Sequence, residues 1–242
     1  MNTNKEIAYR NLVQSRKICH LCKGITNPAE YDNGNYDSDH IGPWSRWQGN
    51  LNTRLMIIGQ DWGDVGYFQR YKGHETDNNP SNKTIRELLA SIEIPIPPPS
   101  VSDLGTSSIF LTNAILCLKE GGLGATVKRE WFNNCGHHYL KPQIEIISPK
   151  VVVSLGKYAY ESICQLFNLQ HKSFRDAVDQ KVGIPLSKNV MFLPVYHCSS
   201  RVLHTHRGLA QQKSDWQRIK WALMLMMRDF GNGSRKKLMN GG

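Results

Sequence analysis

The sequence predicts an α/β fold, a sandwich built around a largely parallel sheet. Four short apolar runs rich in β-branched residues have the pattern of strands covered on both faces. They occupy residues 55–60, 109–117, 151–156 and 190–197. Helical patterns separate these runs, and strands that alternate with helices favour a parallel sheet.

The predicted helices cover residues 5–17, 83–92, 128–147, 157–169 and 208–230. The proline-rich run at 94–103 is expected to be a rigid connector, because proline lacks the backbone donor that helices and central strands need. Residues 27–50 are expected to form an ordered surface excursion. We therefore expect a single domain over residues 1–230, followed by a disordered basic tail at 231–242.

The charge balance favours an anionic partner. The 242 residues include 30 Lys and Arg against 20 Asp and Glu, which gives a formal net charge of +10. Nucleic acid is the commonest partner of so basic a protein. The polar N-terminus has no signal-peptide core, and no stretch approaches the roughly 20 apolar residues of a membrane span. A cytoplasmic location is therefore expected, where cysteines are more often ligands or buried thiols than disulfides.

A carboxylate and a carboxamide directly follow the first predicted strand, in the segment LMIIGQDWGD. Gln60 and Asp61 come after that strand, Asn113 lies within the second, and His197 closes the last. Ligands of parallel sheets bind at the carboxyl ends of strands, so these side chains are expected to converge at one rim. Alternatively, Asp61 caps a helix, Asn113 is satisfied by backbone, and His197 is an ordinary buried histidine.

The spacing of four cysteines indicates a metal site. Cys19 and Cys22 form a C-x2-C pair, while Cys117 ends the second predicted strand and Cys135 follows on a predicted helix. Together they are able to form a four-thiolate site for zinc or an iron-sulfur cluster. In the alternative interpretation, only the first pair binds a metal and the others are buried thiols.

Four segments together resemble the uracil-DNA glycosylase superfamily. They are GQDWG at 59–63, FLTNAILC at 110–117, the run at 135–159 and YHCSSRVLHTHRG at 196–208. The cysteine pattern is similar to that of the iron-sulfur classes, which implies a structural 4Fe-4S cluster. The resemblance implies a three-layer α/β/α fold with a four-stranded sheet. It also implies a monomeric, monofunctional enzyme that flips a pyrimidine out of DNA and cleaves its bond to deoxyribose, leaving an abasic site.

The resemblance also implies roles for the rim residues. Asp61 matches the aspartate that orients or activates the attacking water. His197 matches the histidine that hydrogen-bonds the carbonyl oxygen of the departing base. Asn113 matches the asparagine that reads the edge of the base, and Gln60 is expected beside it.

Residues near the C-terminal motif are expected to contact the DNA. Ser199 belongs to the motif that contains His197, and Leu203 matches the leucine that enters the duplex. Arg201 and Arg207 flank Leu203 and are expected to hold phosphates. Further basic residues nearby in sequence are expected to join them, namely Lys213, Arg218 and Lys220.

Departures from the best-known class leave the substrate open. Gly63 replaces the tyrosine that crowds the C5 position of the base, so the pocket is expected to admit a C5-substituted pyrimidine as well as uracil. Tyr67 and Phe68 are the candidates for stacking on the flipped base. Two alternatives stand beside uracil removal: a glycosylase for hypermodified cytosine in phage DNA, acting in defence, and a noncatalytic nucleic-acid-binding protein on the same fold.

Overall fold

The computed structural model describes residues 3–48, 51–101, 108–122, 124–170 and 172–237, with side chains at residues 4–43, 46–48 and 51–226 of those ranges. The helices are α1 (Thr3–Lys17), α2 (Val65–Tyr71), α3 (Pro80–Ser91), α4 (Arg129–Cys135), α5 (Lys141–Ile147), α6 (Lys157–Leu166), α7 (Phe174–Asp179), α8 (Ser200–Thr205) and α9 (Leu209–Lys237). The strands are β1 (Ile25–Thr26), β2 (Leu55–Gly59), β3 (Ile109–Asn113), β4 (Leu118–Lys119), β5 (Val151–Leu155), β6 (Ile184–Ser187) and β7 (Val190–Val195).

The central sheet has the strand order β3-β2-β5-β7-β6. The first four of these strands are mutually parallel, and β6 pairs antiparallel with β7. The predicted mostly parallel α/β sandwich is therefore confirmed, but the expected number of four strands is wrong, because the sheet has five. The additional strand β6 lies at the edge, where its residues alternate between half-buried and exposed. Such a strand lacks the continuous apolar run that marks the other four.

Alternate side chains of each strand face opposite layers, as the pleat of a strand requires. In β2, Met56 and Ile58 face a core that also contains side chains of α1, α4, α5 and α6. Leu55 and Ile57 face the other core, which α3 and α9 cover. Each buried aliphatic side chain of this kind contributes about 1.5–3 kcal/mol. The two cores thus form the interfaces of a three-layer α/β/α arrangement.

Several predicted segments have different bounds in the structure. The predicted strand 109–117 ends at Asn113, and the next two amides donate to the end of β2 and to its loop, Ala114 N to Gly59 O and Ile115 N to Gln60 O. The predicted helix 128–147 is α4 and α5 joined by a π-helical turn, Gly136–Leu140. Helix α9 extends past residue 230 to Lys237, and residues 238–242 of the tail lie outside the described residues. None of the described helices has the length and apolar character needed to cross a membrane.

Parallel pairing brings the carboxyl ends of β2, β3, β5 and β7 to one edge of the sheet. The loops after β2, β5 and β7 meet there. This edge holds the candidate active site.

Candidate active site

A cavity of about 690 Å³ opens at the carboxyl edge of the sheet. The loop after β2 contributes Gln60 and Asp61 to its wall, and the end of β7 contributes His197. The structure therefore brings together three of the four predicted rim residues. The cavity wall also includes Lys119, which the sequence analysis did not select.

Asp61 is held by an ion pair and by its neighbour. The Lys119 ammonium lies 3.0 Å from each carboxylate oxygen, and the Gln60 amide donates to Oδ2 at 2.6 Å. The side chains of Asp61 and Lys119 are only 7% and 4% exposed. The alternative role of Asp61 as a helix cap is not what the structure shows, because Asp64 caps α2 by accepting from Tyr67 N at 2.6 Å.

His197 is oriented by the start of the next turn. The backbone N–H of Ser199 donates to its Nδ1 at 3.1 Å. Burial lowers the pKa of His197 below its ordinary value, and the negative charge of Asp61 opposes this shift only in part. The imidazole is therefore neutral near pH 7, and because its Nδ1 accepts a hydrogen bond, its single proton is on Nε2.

Asn113 lies beside this rim but does not line the cavity. It ends β3, where it pairs in register with Gly59, and it is 2% exposed. Its Oδ1 has no hydrogen-bond partner among the described residues. A buried amide oxygen without a partner is costly, so neighbouring backbone does not satisfy this side chain in the described structure.

The two aromatic candidates have different surroundings, although they are adjacent in sequence. Tyr67 lines the cavity, with its ring 4.8 Å from that of Trp62, and its hydroxyl accepts from Asn79 Nδ2 at 2.8 Å. Phe68 is 1% exposed and packs edge-on against Trp62 in a separate apolar cluster. A ring so deeply buried is not available to stack on a base, so only Tyr67 remains a candidate.

Gly63 lines the cavity in a conformation that favours glycine. Its φ is 145°, which side chains with a Cβ rarely adopt. The backbone conformation therefore favours glycine at this position, and the missing side chain also leaves more space in the cavity.

The segment after β7 forms the short helix α8 instead of an open loop. Arg201 is exposed and lines the cavity together with Ser199 and Val202. Leu203 is only half-buried and does not line the cavity. In this conformation Arg201 is thus an exposed cation on the cavity wall.

The other predicted phosphate-binding residues contact protein groups. Arg207 forms a bidentate pair with Asp215 at 2.8 and 3.0 Å, with Asp179 at 3.3 Å from its Nη2. In this structure Arg207 is therefore engaged by two carboxylates, and its contact with DNA stays a prediction. Similar protein contacts engage three further residues, namely Lys213 with Glu87, Lys220 with Glu93, and Arg218 with the carbonyl of Pro194.

A second cavity, of about 230 Å³, is lined by the four predicted cysteine ligands. Cys19 and Cys22 come from the segment after α1, Cys117 precedes β4, and Cys135 ends α4. Asn134 donates to the sulfur of Cys22 at 3.3 Å. Residues separated by more than one hundred positions in sequence therefore converge on one cavity, as a shared ligand set requires.

The thiols of this second cavity influence one another. Burial and, to a smaller extent, the neighbouring Cys22 and Cys19 together raise the pKa of Cys135 to about 12. Burial also raises the pKa of Cys117, as do the other three cysteines of the cavity. Without a cation these thiols stay protonated, and a cationic centre between them would favour four thiolates, so the donor set fits a metal group with four cysteine ligands. Among the described residues, no group of three or more His, Cys, Asp or Glu side chains is arranged to hold a single metal ion.

The remaining two cysteines belong to the apolar cores. Cys164 lies on α6 in the core that faces α1, and Cys198 lies in the core that faces α9. Neither lines the cavity of the four other cysteines.

Lys119 is the site residue that sequence reasoning missed. It lies in the run CLKE directly after a predicted strand, where a lysine ordinarily indicates an exposed strand end. The only signal was its position two residues after Cys117, in a segment already assigned to the rim.

Comparison with known proteins places this geometry in a family. A type-4 uracil-DNA glycosylase of Archaeoglobus fulgidus is 26% identical over 172 residues, which cover 71% of this chain and 77% of that protein. A type-5 uracil-DNA glycosylase of Pyrobaculum aerophilum is 23% identical over 148 residues, covering 60% of this chain and 61% of that protein. The family model of the uracil DNA glycosylase superfamily matches residues 47–222, a stretch that includes both Asp61 and His197. Because this match extends over more than half of the sequence, the chain belongs to the uracil DNA glycosylase superfamily.

Proposed function

We propose that this protein is a monofunctional DNA glycosylase that hydrolyses the N-glycosidic bond of uracil or of a C5-modified pyrimidine and leaves an abasic site. The observation that carries the proposal is the placement of Asp61 and His197 on one cavity at the carboxyl edge of the sheet. The superfamily match and the names of the two relatives support it.

The chemistry requires stabilisation of two developing charges. A departing pyrimidine becomes anionic while the sugar becomes oxocarbenium-like, and groups preorganised for such charges supply most of the catalysis. Asp61 presents a carboxylate for the positive sugar and for the attacking water. His197, neutral and protonated on Nε2, donates a hydrogen bond to the base oxygen that gathers negative charge. Each group is matched to one charge, so the two act together.

The remaining wall of the cavity bears on base recognition. Gln60 supplies an amide at the rim, and Tyr67 supplies a ring for stacking. Gly63 adds no side chain to the wall, which leaves room for a substituent at C5 of the base. Asn113 reaches a flipped base only if its buried amide becomes accessible when DNA binds, and its unpartnered Oδ1 supports that role.

Extrusion of the base from a duplex costs a few kcal/mol, and protein contacts must offset this cost. Arg201 at the cavity mouth is placed for a phosphate. Val202 lines the cavity, and the half-buried Leu203 follows it on α8, so an apolar wedge from this helix fills the vacated stack once α8 adjusts.

We further propose that Cys19, Cys22, Cys117 and Cys135 hold a structural 4Fe-4S cluster, with zinc as the alternative. Four thiolates around one zinc ion must each lie about 2.3 Å from it. The spacing of the four cysteines, which is similar to that of the iron-sulfur classes, favours the cluster. When bound, the cluster links the N-terminal segment to α4 and takes no part in base hydrolysis.

The test is base release from matched oligonucleotides that contain one uracil, thymine, hypoxanthine, 5-hydroxymethylcytosine or glucosylated 5-hydroxymethylcytosine. Alkaline cleavage reports the abasic product. Asp61→Asn should lower release by about 10²- to 10³-fold. Asp64→Asn is the matched control, because asparagine retains the ability to cap α2 and leaves the cavity unchanged.

The pattern of release distinguishes the substrate classes. Release of uracil alone assigns ordinary uracil removal, and release of a modified cytosine alone assigns a glycosylase for hypermodified DNA. DNA binding without release of any base from the wild-type protein would overturn the proposed enzyme in favour of a noncatalytic binding protein.

A further inference from the structure

The backbone of Lys119 is fixed from two sides. As part of β4 it pairs antiparallel with Ile25 of β1, which follows the Cys19–Cys22 segment. It also forms a parallel bridge with Asp64, the residue that caps α2. The side chain therefore starts from a position that the cysteine-bearing segments and the β2 loop both determine.

The ammonium of Lys119 has one charged partner. Among the described residues, only Asp61 pairs with it, at 3.0 Å from both carboxylate oxygens. Neither side chain is more than 7% exposed. Each charge would be costly to bury alone, so the contact compensates both burials and fixes each side chain in one orientation.

This contact limits what Asp61 is able to do. Lys119 contacts both carboxylate oxygens and Gln60 donates to Oδ2, so the carboxylate is held in a fixed place. Such a carboxylate is suited to facing a developing positive charge without reorganising.

We propose that Lys119 is a positioning residue for base release, which acts by holding the Asp61 carboxylate in one orientation beneath the sugar. This inference rests on the proposed function and adds a residue to it. If Lys119 acts only through Asp61, its removal should have no further effect once that carboxylate is gone.

The first test is a double-mutant cycle in the kinetics of base release. Lys119→Met should lower kcat by about 10²-fold with little change in KM, because it removes the support of a group needed in the transition state. The variant with both Lys119→Met and Asp61→Asn should be no slower than Asp61→Asn alone. Lys119→Arg should recover part of the rate, since it retains the positive charge.

Lys157 provides the matched control. It lines the same cavity, and its ammonium lies 3.7 Å from Glu161 instead of contacting Asp61. In a protein that carries Lys157→Met, the further change Asp61→Asn should still lower the rate of base release as it does in the wild type. If instead the variant with both Lys119→Met and Asp61→Asn is slower than Asp61→Asn by the full factor that Lys119→Met causes alone, the positioning role is wrong.

A second measurement does not depend on activity. In urea unfolding, Lys119→Met should lower the midpoint, and Asp61→Asn should restore part of the loss, because it removes the unpaired carboxylate. Absence of this coupling would contradict the pair itself. If the variants show this coupling but the wild-type protein releases no base, the proposed function is overturned and the ion pair stands.

The last test excludes covalent chemistry. Incubation of wild-type protein with DNA that already contains an abasic site, in the presence of borohydride, should give no cross-link through Lys119. Reductive trapping that Lys119→Met abolishes would show that the lysine is a nucleophile that forms a Schiff base, and the positioning role would be overturned.

Discussion

The backbone N–H of Ser199 donates to Nδ1 of His197 at 3.1 Å. This contact fixes the tautomer of the histidine, because a nitrogen that accepts a hydrogen bond carries no proton. The remaining proton on Nε2 is then the donor that the proposed mechanism requires. A backbone amide is always present at this position, so the orientation does not depend on another titrating group.

The buried state of His197 predicts a pH dependence of stability. Its pKa is lowered in the folded protein from the ordinary value of 6.5, mainly by burial. The unfolded chain takes up this proton below about pH 6.5, whereas the folded protein resists it. The stability contributed by the neutral ring is therefore complete above pH 6.5 and is lost as the pH falls.

The measurement is the free energy of unfolding of the wild type and of His197→Gln between pH 8 and pH 5, in roughly half-unit steps. The free energy of unfolding of the wild type, relative to that of His197→Gln, should decrease below about pH 6.5. The slope should be up to about 1.4 kcal/mol per pH unit. His204→Gln, on the exposed side of α8, controls for loss of an imidazole in general. Equal pH dependence of the wild type and His197→Gln would contradict the predicted burial effect.

Gly63→Ala should destabilise the fold and narrow the cavity. The positive φ of 145° makes a side chain costly there, by about 1–3 kcal/mol. Gly66→Ala is the matched control, because a Cβ at that residue would lie at an ordinary 3.5 Å from Asp64 Oδ1. In helix α2 alanine is favoured over glycine by about 1 kcal/mol. The midpoints of urea unfolding are measured for Gly63→Ala and Gly66→Ala. Equal midpoints for the two variants would show that a Cβ does not strain the backbone at Gly63.

The strands of the parallel sheet could be predicted because each is an unbroken apolar run. Strand β6 could not, because an edge strand with exposed alternate residues and Pro185 has no such run. The aromatic pair Tyr67 and Phe68 shows a similar limit. Which of two adjacent helical residues faces a cavity depends on the rotation of α2, and that rotation is set by tertiary contacts, such as those of Phe68 with Tyr31 and Tyr36.

Lys119 shows why part of the site was beyond the sequence pattern. A buried lysine is stable only with a partner, and its partner Asp61 is 58 residues away in sequence. A second contact beyond the sequence pattern occurs at Arg207, which was selected for a DNA contact from its charge and its position beside Leu203. Its carboxylate partner Asp215 lies on the following helix, α9. The local sequence pattern did not reveal that the two side chains meet.

Arg201 and Arg207 should differ in their effects on DNA binding. Arg201→Met removes the exposed cation at the cavity mouth, so the slope of log affinity against log salt should fall by about 0.9. Arg207→Met should leave that slope unchanged and instead lower the free energy of unfolding by about 1 kcal/mol, because it breaks the pair with Asp215. Fluorescence titrations at several salt concentrations measure the slopes. A smaller slope for Arg207→Met would return that residue to the DNA interface.

The four-cysteine cavity predicts a visible cofactor in the protein as isolated. Anaerobically purified wild type should be brown and contain about four iron atoms per chain. Cys22→Ser should lose most of this iron and the associated absorption, because Cys22 lines the cavity. It should also unfold at lower urea, since the link between the N-terminal segment and α4 is lost.

Cys164→Ser is the control for the cofactor, because Cys164 is also a free thiol but lies buried in the apolar core and does not line this cavity. It should keep the iron and the colour, even if the substitution weakens packing in the core.

Base release in Cys22→Ser should fall as well, because Lys119 in β4 is held against β1 directly after the first cysteine pair. Colourless wild-type protein with one tightly bound zinc ion would contradict the cluster and assign the site to zinc. Full iron retention in Cys22→Ser would show that this cysteine is not a ligand.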